Sequence, residues 1–406
     1  MNILILGGGA AGFFAAIQSK RTFPKSTVTI LEKSPTVLAK VKVSGGGRCN
    51  VTHACFDPRL LSENYPRGSK ALLGPLTRFG PQDTMDWFSS RGVPLKIESD
   101  NRVFPVSDSS QTIIDCLFGE AESLGVRVWT ECPVESVRKD DTSGQFMIQL
   151  KSGVEHSCDR FILASGSSRQ GYAFAEALGH RIEPPVPSLF TFTIPDPVLT
   201  ALSGLSVQNA HLRIAGVKSL SQKGPLLITH WGLSGPAVLK LSAWGARHLY
   251  DTSYKATLLV NWLPELTEED LIDDLKAYQT AHMKKAVFTK SPFSEIPVRL
   301  WRYLVAKACI ADAQTWKEIP VKIVGTLARL LNQSTMIVTA KGPFKEEFVT
   351  CGGVSLKEVN FKTMESTRCP GLYFAGEVLD VDGVTGGFNF QNAWATGWIA
   401  GSSVGG

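Results

Sequence analysis

The hydrophobic pattern at the start of the chain changes its period twice. The run "NILIL" (2–6) is continuously apolar, which predicts a strand buried on both faces of a parallel sheet. "AGFFAAIQSKR" (11–21) then predicts a helix, and "TVTILEK" (27–33) predicts a second buried strand. Together the three segments predict a βαβ unit.

Helical periodicity returns around 69–91 and in 109–125, and there the pattern stops at Gly125. Alternation of polar and apolar residues then predicts strands, at 127–131, 134–139, 145–150 and 160–166. Short turns separate them, so we expect the first three to form a meander that leads back to a core strand, the fourth.

Proline and glycine positions predict the domain organisation. Three prolines, at 184, 185 and 187, predict a domain boundary near residue 190. From residue 352 the glycines return, and "GLYFAGE" (371–377) predicts another buried strand, so we expect both ends of the chain to form one domain around an insert. The predicted ranges are 1–190 with 352–406 for the terminal domain, 191–266 with 332–351 for a β-rich insert, and 267–331 for a helical subdomain of the insert.

Composition adds few constraints. The 406 residues suggest two or three domains, and 43% hydrophobic with 19% charged residues is ordinary for a soluble globular protein. A net charge of +5 permits a polyanionic partner without requiring one. The eight cysteines contain no CxxC pair, which argues against zinc and a disulfide framework. The N-terminus lacks a basic leader, and no apolar run reaches the roughly 20 residues of a membrane span, so we expect a cytoplasmic protein.

The first candidate site is "GGGAAG" (7–12), a GxGxxG motif between the first strand and the first helix. Gly7 would allow the tight turn, Gly9 would let a pyrophosphate approach the backbone, and Gly12 would let helix and strand pack closely. Glu32 ends the second strand, where a carboxylate can accept hydrogen bonds from a ribose. This order of elements predicts dinucleotide binding, the alternative being an ordinary glycine turn.

A second glycine loop, "SGGGRCN" (44–50), predicts that the dinucleotide is FAD. Its amides would line the far end of a long ligand, and Lys40 and Arg48 would meet phosphates, whereas a nicotinamide cofactor needs no second loop. A plain surface loop is the alternative. Cys49 is either a redox thiol or a buried packing residue, and the missing CxxC partner favours packing.

The third cluster, "GEVLDVDGVTGGFNFQNAWATGWIAG" (376–401), predicts a helix that begins near Phe388 after two glycines. The N-terminus of a helix beside a flavin stabilises the negative charge that develops on reduction. Ala393, Gly397 and Gly401 are four residues apart, so we expect this helix to pack closely on the sheet.

In the insert, "LLITHWGLSGPAVLKL" places His230 and Trp231 before a helix that we expect Ser234 to cap, with Pro236 in its first turn. His230 is a candidate acid or base facing the flavin, and Trp231 a candidate stacking platform for the substrate. The alternative is a core histidine and a packing indole. No metal ligands are predicted.

These motifs resemble the BaiN/RdsA family of NAD(P)/FAD-dependent flavoproteins, also described as aminoacetone-oxidase-like. The similarity covers nearly the whole length, and its motifs are 7–12, 44–52, "NRVFPVS" (101–107), "THWGLSGPAVLKLS" (229–242) and the long segment 349–397. The resemblance implies an α/β fold: a discontinuous FAD domain of the glutathione-reductase type, with an inserted β-barrel-like domain carrying a helical subdomain.

The resemblance also implies the residues that contact FAD. In this sequence they are Gly9, Ala11, Gly12, Glu32, Lys33, Lys40, Ser44, Gly46, Arg48, Cys49, Asn50, the backbone near Val134, Ser165, Gly166, Gly376, Glu377, Gly387, Phe388, Asn389 and Gln391. The chain departs from the family in the shorter loop "ASGSSRQGY", in Leu38-Ala39 where Gly-Arg is usual, and at Cys351. The short loop leaves the substrate contacts near Arg169 open.

FAD binding does not fix the reaction. The first hypothesis is hydride transfer between flavin and a small amine or activated alkene, with NAD(P)H or oxygen completing the cycle. The second is a flavin-dependent dihydrouridine synthase acting on ribosomal RNA, which a basic face on the insert beside the flavin would favour. The third is a non-catalytic binding protein stabilised by FAD. The oligomeric state stays open.

Overall fold

The computed structural model describes residues 1–343 and 349–405. Residues 344–348, which the sequence assigns to the β-rich insert, and Gly406, which it assigns to the terminal domain, lie outside the described residues. In the described part the strands, β1 to β22 in chain order, are Asn2–Leu6, Thr27–Leu31, Thr52–His53, Leu95–Ile97, Arg102–Pro105, Arg127–Trp129, Val134–Lys139, Phe146–Leu150, Glu155–Cys158, Arg160–Leu163, Ile182–Ser188, Phe192–Thr193, Ser206–Ile214, Ser221–Thr229, Gly232–Ser234, Ala256–Asn261, Ser334–Val338, Ala340–Lys341, Val349–Val354, Val359–Asn360, Glu365–Ser366 and Leu372–Phe374.

The α-helices of the same described residues, α1 to α14, are Ala10–Thr22, Ala39–Gly47, Pro58–Ser62, Ser69–Arg78, Pro81–Ser89, Ser110–Ser123, Arg169–Ala177, Pro197–Thr200, Pro236–Trp244, Ala246–Asp251, Glu268–Ala281, Val298–Lys307, Val321–Asn332 and Phe388–Ser403. The chain divides into two compact units. The first combines Met1–Val186 with Val349–Gly406, and the second is Pro187–Phe348.

The first unit is built on a seven-stranded sheet in the order β20-β21-β22-β10-β1-β2-β6. The strands from β22 to β6 run parallel to their neighbours, and β20 and β21 add an antiparallel edge. β1 is the middle one of the five parallel strands, and its Ile3 and Ile5 are fully buried, as the continuous apolar run predicts. The predicted βαβ unit and the α/β fold class are confirmed.

Both ends of the chain contribute to this unit. β22 comes from the C-terminal end and pairs in parallel with β10, and α14 lies directly on α1. A Cβ atom at Gly397 would lie 2.7 Å from the carbonyl oxygen of Ala11, and one at Gly401 would lie 2.5 Å from that of Ala15. The glycines of α14 therefore let the two helices approach more closely than side chains would allow. The close packing expected from their spacing is found, but against α1 and not against the sheet.

The predicted meander is wrong in its membership. β6 pairs in parallel with β2 at the edge of the main sheet, and the meander consists of β7, β8 and β9. The predicted helix at 69–91 is two helices, because Gly80 is extended and Pro81 begins a new one. "GLYFAGE" is a strand only from Leu372 to Phe374. The prolines expected to interrupt the chain lie within β11, which pairs only with β19 in a two-stranded sheet among the described residues.

The second unit is built on an antiparallel sheet in the order β17-β16-β13-β14-β15-β12-β18. Helices α11, α12 and α13 follow β16 and precede β17, so the chain leaves the sheet to form a helical subdomain and then returns. Trp262, Trp301 and Trp316 are buried in the core of this unit. No helix among the described residues is long and apolar enough to cross a membrane.

Candidate functional site

The glycine motif forms the turn between β1 and α1, and the reason for glycine differs between its positions. Gly7 has φ +117°, and a Cβ atom there would lie 2.3 Å from the carbonyl oxygen of Ala164. A Cβ atom at Gly12 would lie 2.0 Å from the carbonyl oxygen of Gly7. Both positions are closed to side chains by the protein's own backbone.

Gly9 differs, because a Cβ atom there would have no other atom within 4 Å. It is the N-cap of α1, no side chain caps the helix, and the first turn carries no acidic residue. Ala11 follows in that turn and is buried. The N-terminal amides of α1 therefore face open space with a positive helix end behind them, which is the arrangement that binds a pyrophosphate.

Glu32 is fixed at the end of β2. Its Oε2 accepts a hydrogen bond from the N–H of Gly8 at 2.9 Å, and its Oε1 accepts from the N–H of Ser34 at 2.9 Å and from the Ser34 hydroxyl. The residue is half-buried, and Oε2, which accepts a single bond, can accept a further one from a ligand. It therefore suits a ribose that approaches from the side of Gly7.

A cleft joins several of the predicted cofactor residues. It is lined by Leu6, Gly7, Leu31, Glu32, Lys33, Val134, Ser165, Ser168, Gln170, Gly171 and Phe174. The Oγ of Ser165 is buried and has no hydrogen-bond partner among the described residues, and the next residue, Gly166, has φ +59°. A buried polar atom without a partner is costly, and a polar ligand in the cleft would satisfy it.

These observations fit the adenosine diphosphate part of FAD. The open space at Gly9 would receive the phosphates, Glu32 would receive the ribose, and the cleft beside Ser165 would receive the adenine. The backbone of Val134 is less available for a hydrogen bond to the cofactor than the family resemblance implies. Its carbonyl oxygen already accepts a hydrogen bond from the side-chain amide of Gln170.

The second glycine loop ends α2. The backbone leaves the helical conformation at Ser44, whose carbonyl oxygen accepts from the N–H of Cys49 at 3.0 Å, and Gly45 to Gly47 all have positive φ. A Cβ atom at Gly46 or Gly47 would meet nothing within 4 Å. The loop therefore presents bare backbone to open space, as expected of a loop that lines a ligand.

The two basic residues of this region are paired with acids. Lys40 Nζ lies 2.5 Å from Glu377 Oε2, while Glu377 Oε1 accepts from the N–H of Thr350 at 3.2 Å. Arg48 Nη1 lies 2.7 Å from Glu98 Oε1, and its guanidinium lies 3.9 Å from the ring centroid of Phe104. A phosphate contact by either cation would therefore compete with a carboxylate.

The surroundings of Cys49 favour a packing role over a reactive thiol. Its side chain is fully buried, and burial raises the pKa of the thiol to about 12. The thiolate, which is the reactive form, is therefore scarce at neutral pH.

We predict that Cys49 in the folded protein resists iodoacetamide at pH 8, while the exposed Cys309 reacts. Peptide mass spectrometry after timed quenching measures both sites, and a sample unfolded in guanidinium shows full modification of each. Alkylation of Cys49 as fast as Cys309 in the folded protein would contradict the packing role.

The start of α14 is held by residues from the N-terminal part of the unit. Gly387, with φ +94°, is the N-cap, and its N–H donates to the side-chain oxygen of Asn50 at 2.9 Å. The Tyr65 hydroxyl donates to the carbonyl oxygen of Phe388 at 2.7 Å, and the ring of His53 stacks on that of Phe388 at 4.7 Å. The helix start therefore stands at a fixed position beside the second glycine loop.

Two predicted cofactor residues have their side chains committed elsewhere. The amide of Asn389 bonds both the N–H and the carbonyl oxygen of Gly383, at 2.8 and 2.9 Å. Gln391 is fully buried, accepts from the hydroxyls of Thr52 and Thr84, and donates to the carbonyl oxygen of Phe79. Both side chains tie the helix to the unit, so contact with FAD would have to come from their backbone.

The sequence patterns did not identify His53 and Tyr65, nor the ion pair between Arg67 and the fully buried Asp382. The only signal for Asp382 was an acid inside the glycine-rich segment "DVDGVTGG". Nothing local identified its partner, because the pair joins residues 315 positions apart in the chain.

The three clusters of the first unit converge at one edge of its sheet, where the carboxyl ends of β1, β2, β10 and β22 lie. Gly376, at the end of β22, donates its N–H to the hydroxyl of Thr396 in α14 at 2.9 Å. A Cβ atom at Gly376 would lie 2.8 Å from that of Ala11 in α1. This edge is where α/β sheets bind dinucleotides.

His230 and Trp231 lie in the second unit and form the turn between β14 and β15. His230 is exposed, so the alternative of a core histidine is wrong. The Trp231 indole N–H donates to the hydroxyl of Thr191 at 3.1 Å. The predicted cap is also wrong, because Ser234 ends β15 and Gly235, with φ +96°, is the N-cap of α9.

No group of three or more His, Cys, Asp or Glu among the described residues is arranged to hold a metal ion.

Comparisons with known proteins give a family and two named activities. The family model described as the HI0933-like protein Rossmann domain matches residues 1–403. The 3-dehydro-bile acid delta(4,6)-reductase of Clostridium scindens is 30% identical over 415 residues, which cover 99% of this chain and 98% of the relative. The ribosomal RNA dihydrouridine synthase of Escherichia coli is 30% identical over 406 residues, which cover 98% of this chain and 96% of the relative.

Among solved structures, 3-ketosteroid delta1-dehydrogenase from Sterolibacterium denitrificans superposes with a TM-score of 0.52 at 13% sequence identity. The match covers 99% of this chain and 98% of that one. It shows a shared fold.

Proposed function

Because the chain belongs to the HI0933-like Rossmann family and is an FAD-dependent oxidoreductase, we propose that it reduces a carbon–carbon double bond conjugated to a carbonyl group. The observation that supports this reaction is the names of two relatives that match over nearly their whole length. The two names differ, but both describe the reduction of a double bond conjugated to a carbonyl group. A dihydrouridine synthase adds two hydrogens to the C5–C6 double bond of uracil, which is conjugated to a ring carbonyl. A delta(4,6)-reductase of a 3-dehydro-bile acid acts on double bonds conjugated to a ketone.

The chain's own residues would bind the cofactor and leave one end open for the substrate. The amides at Gly9 would hold the phosphates, Glu32 would hold the ribose, and the start of α14, which has no acidic residue in its first turn, would stabilise the flavin end. Bound FAD supplies a two-electron centre that passes hydride to an electron-poor carbon. A helix N-terminus without acids favours the reduced, more negative form of such a centre.

The neutral thiol of Cys49 supports a reaction without a protein nucleophile. Burial raises its pKa to about 12, so we assign it no covalent step. The carbon β to the carbonyl would receive a hydride equivalent from the bound cofactor and the α carbon a proton from solvent, so the substrate would gain two hydrogens. The hypothesis of a non-catalytic binding protein is set aside, because the family consists of oxidoreductases.

Two substrates carry this double bond and are each supported by a named relative. The first is a uridine in ribosomal RNA, and the second is a small 3-oxo alkene. We assign substrate binding in the second unit to His230 and Trp231, at the tip of a hairpin. His230 is exposed and Trp231 is half-buried. Their rings stand edge to face with centroids 4.5 Å apart.

We predict that ribosomal RNA from a strain lacking the protein loses a dihydrouridine that the wild-type gene restores. The His230→Ala/Trp231→Ala variant should fail to restore it, whereas the control Trp244→Ala, at an exposed indole of the same unit, should restore it. Nucleoside mass spectrometry measures the modification. An unchanged profile in the deletion strain would exclude ribosomal RNA as the substrate and leave the small 3-oxo alkene. Full rescue by the double variant would show that the hairpin at His230 and Trp231 does not bind the substrate.

NAD(P)H is proposed as the electron donor that completes the cycle. Anaerobic stopped-flow mixing of the yellow protein with NADH or NADPH should bleach the absorbance of oxidised flavin at least as fast as the enzyme turns over in the steady state. No bleaching with either nucleotide would assign the reductant to another donor.

A further inference from the structure

Positive charge in this chain is concentrated in one segment of the helical subdomain. Residues 276–322 contain nine Lys or Arg and three Asp or Glu, a net charge of +6, while the whole chain carries +5. The rest of the chain is therefore net −1. The segment runs from the second half of α11 to the start of α13, so its charge belongs to the insert and not to the cofactor site.

The structure brings the lysines of this segment together. The stretches around residues 285 and 316 run side by side, joined by a bridge between Ala286 and Thr315. The N–H of Lys317 donates to the carbonyl oxygen of Met283 at 3.0 Å, and the N–H of Trp316 donates to that of Lys285 at 3.0 Å. Three exposed lysines result, which we call the lysine surface: Lys284, Lys285 and Lys317.

The scaffold beneath the lysine surface is fixed. Trp316 is buried and stacks on Trp301 with ring centroids 6.3 Å apart. The side-chain amide of Gln279, from α11, donates to the carbonyl oxygens of Trp316 and Ile319 at 2.8 Å each. The backbone that carries the lysines is therefore ordered before any partner binds, which lowers the entropic cost of binding.

These three lysines form no ion pair with any described residue, in contrast to Lys40 and Arg48 of the cofactor unit. The acid beside them, Glu318, has its carboxylate bonded to the N–H and the hydroxyl of Thr315, both at 2.7 Å. Their charge is therefore available to a polyanion.

An aromatic pair lies at the C-terminal end of α11, just before Lys284 and Lys285 in the chain. The rings of Tyr278 and His282 stack with centroids 4.0 Å apart, and both residues are half-buried. Tyr278 also contacts Trp316, edge to face at 5.5 Å, which ties the pair to the backbone that carries the lysines. Flat rings beside cations are what unpaired RNA bases and their phosphates require.

We propose that the lysine surface is a docking surface for RNA, with the lysines on phosphates and the Tyr278–His282 pair beside an unpaired base. The proposal rests on the ribosomal RNA form of the proposed function. It places RNA recognition in the helical subdomain of the insert, apart from the residues assigned to the cofactor and to the hairpin.

The test uses the FAD-loaded protein and a fluorescent oligouridylate of about 20 nucleotides, with fluorescence anisotropy at several salt concentrations. Lys284→Glu/Lys285→Glu/Lys317→Glu should weaken binding by at least about 10-fold and flatten the salt dependence, because up to three phosphate contacts are lost. His282→Ala should weaken binding about 5-fold or more without changing the salt slope.

The control is Lys25→Glu/Lys151→Glu/Lys218→Glu, which changes the net charge equally at exposed lysines outside the segment and should bind within about 2-fold of wild type. Equal weakening by both triple variants, or wild-type binding by the first, would overturn the proposal. Binding to anionic phospholipid vesicles but not to the oligouridylate would also overturn it, in favour of a membrane surface.

This test is independent of catalysis. FAD content, read from the absorbance of each purified variant, shows that the protein is folded. If the wild type binds RNA through the lysine surface but reduces no conjugated double bond, the docking surface stands and the proposed function fails. If it reduces a small enone and binds no RNA, the proposed function stands and the docking surface fails.

Discussion

Gly9→Val is expected to abolish FAD binding, with an affinity loss of at least about 100-fold, while the protein stays folded. The Gly9 backbone is extended, and a Cβ atom there would meet nothing within 4 Å, so the fold accepts a side chain. The branches of valine would nevertheless stand in front of the α1 amides, where the pyrophosphate must approach. Titration of the apoprotein with FAD, followed by flavin fluorescence, measures the loss.

Two matched variants separate this effect from destabilisation. Gly119→Val lies on the exposed face of α6, with nothing within 4 Å of its Cβ, and should bind FAD as the wild type does. Gly12→Val should instead destabilise the fold, because its Cβ would collide with the carbonyl oxygen of Gly7 at 2.0 Å. FAD bound equally by Gly9→Val and Gly119→Val would show that the phosphates do not lie at the start of α1.

A fragment of residues 1–190 is expected to aggregate or to purify without flavin. It would expose the edge of β10 that β22 covers and the face of α1 on which α14 packs. It would also lack the helix start at Gly387, and the partner of Tyr65 and Asn50 with it. Gel filtration and the visible spectrum of the purified fragment measure both outcomes.

The comparison fragment joins residues 1–186 to 349–406 through a short Gly-Ser linker. β11 and β19, which lead into and out of the second unit, are neighbours in one small sheet, so a short linker can join them. We expect this fragment to be yellow and monodisperse. A yellow, monodisperse fragment of residues 1–190 would instead show that the C-terminal end is dispensable for the cofactor domain.

The sequence predicted those parts of the fold whose signal is local. The apolar runs of β1 and β2 and the glycine turn between them predicted the βαβ unit, and two glycines predicted the start of α14 at Phe388. The family resemblance inferred from the motifs is confirmed by the match over residues 1–403. The three glycine clusters were also identified from the sequence, and in the structure they lie at one edge of the sheet.

Other features depend on partners that are remote in sequence. The strand at 127–131 has the expected period, but its partner is β2 and not the next strand, because alternation does not specify pairing. Gln391 reads as a ligand residue in the motif, yet its partners Thr52 and Thr84 lie more than 300 positions away. The pairing of Arg48 with Glu98 is hidden for the same reason.

The hairpin at His230 shows a second limit. The segment "THWGLSGP" carries the residues of a helix start, Ser followed by Gly and Pro, and the sequence therefore predicted a cap at Ser234. The structure extends the strand pairing to Ser234, whose partner is Leu227, and the cap passes to Gly235. Tertiary pairing thus overrides a local capping signal.

The measurement that tests the central claim most directly is anaerobic reoxidation of the reduced FAD-loaded protein by defined substrates. Unmodified ribosomal RNA and a small steroid 4-en-3-one are mixed separately with the photoreduced protein, and the absorbance of oxidised flavin is followed. The corresponding saturated compounds, RNA that already contains dihydrouridine and the saturated ketone, serve as controls. We predict that the absorbance returns with at least one conjugated alkene and with neither saturated control. Return of the absorbance only on admission of oxygen, or equally with saturated and unsaturated compounds, would contradict the reduction of a carbonyl-conjugated double bond.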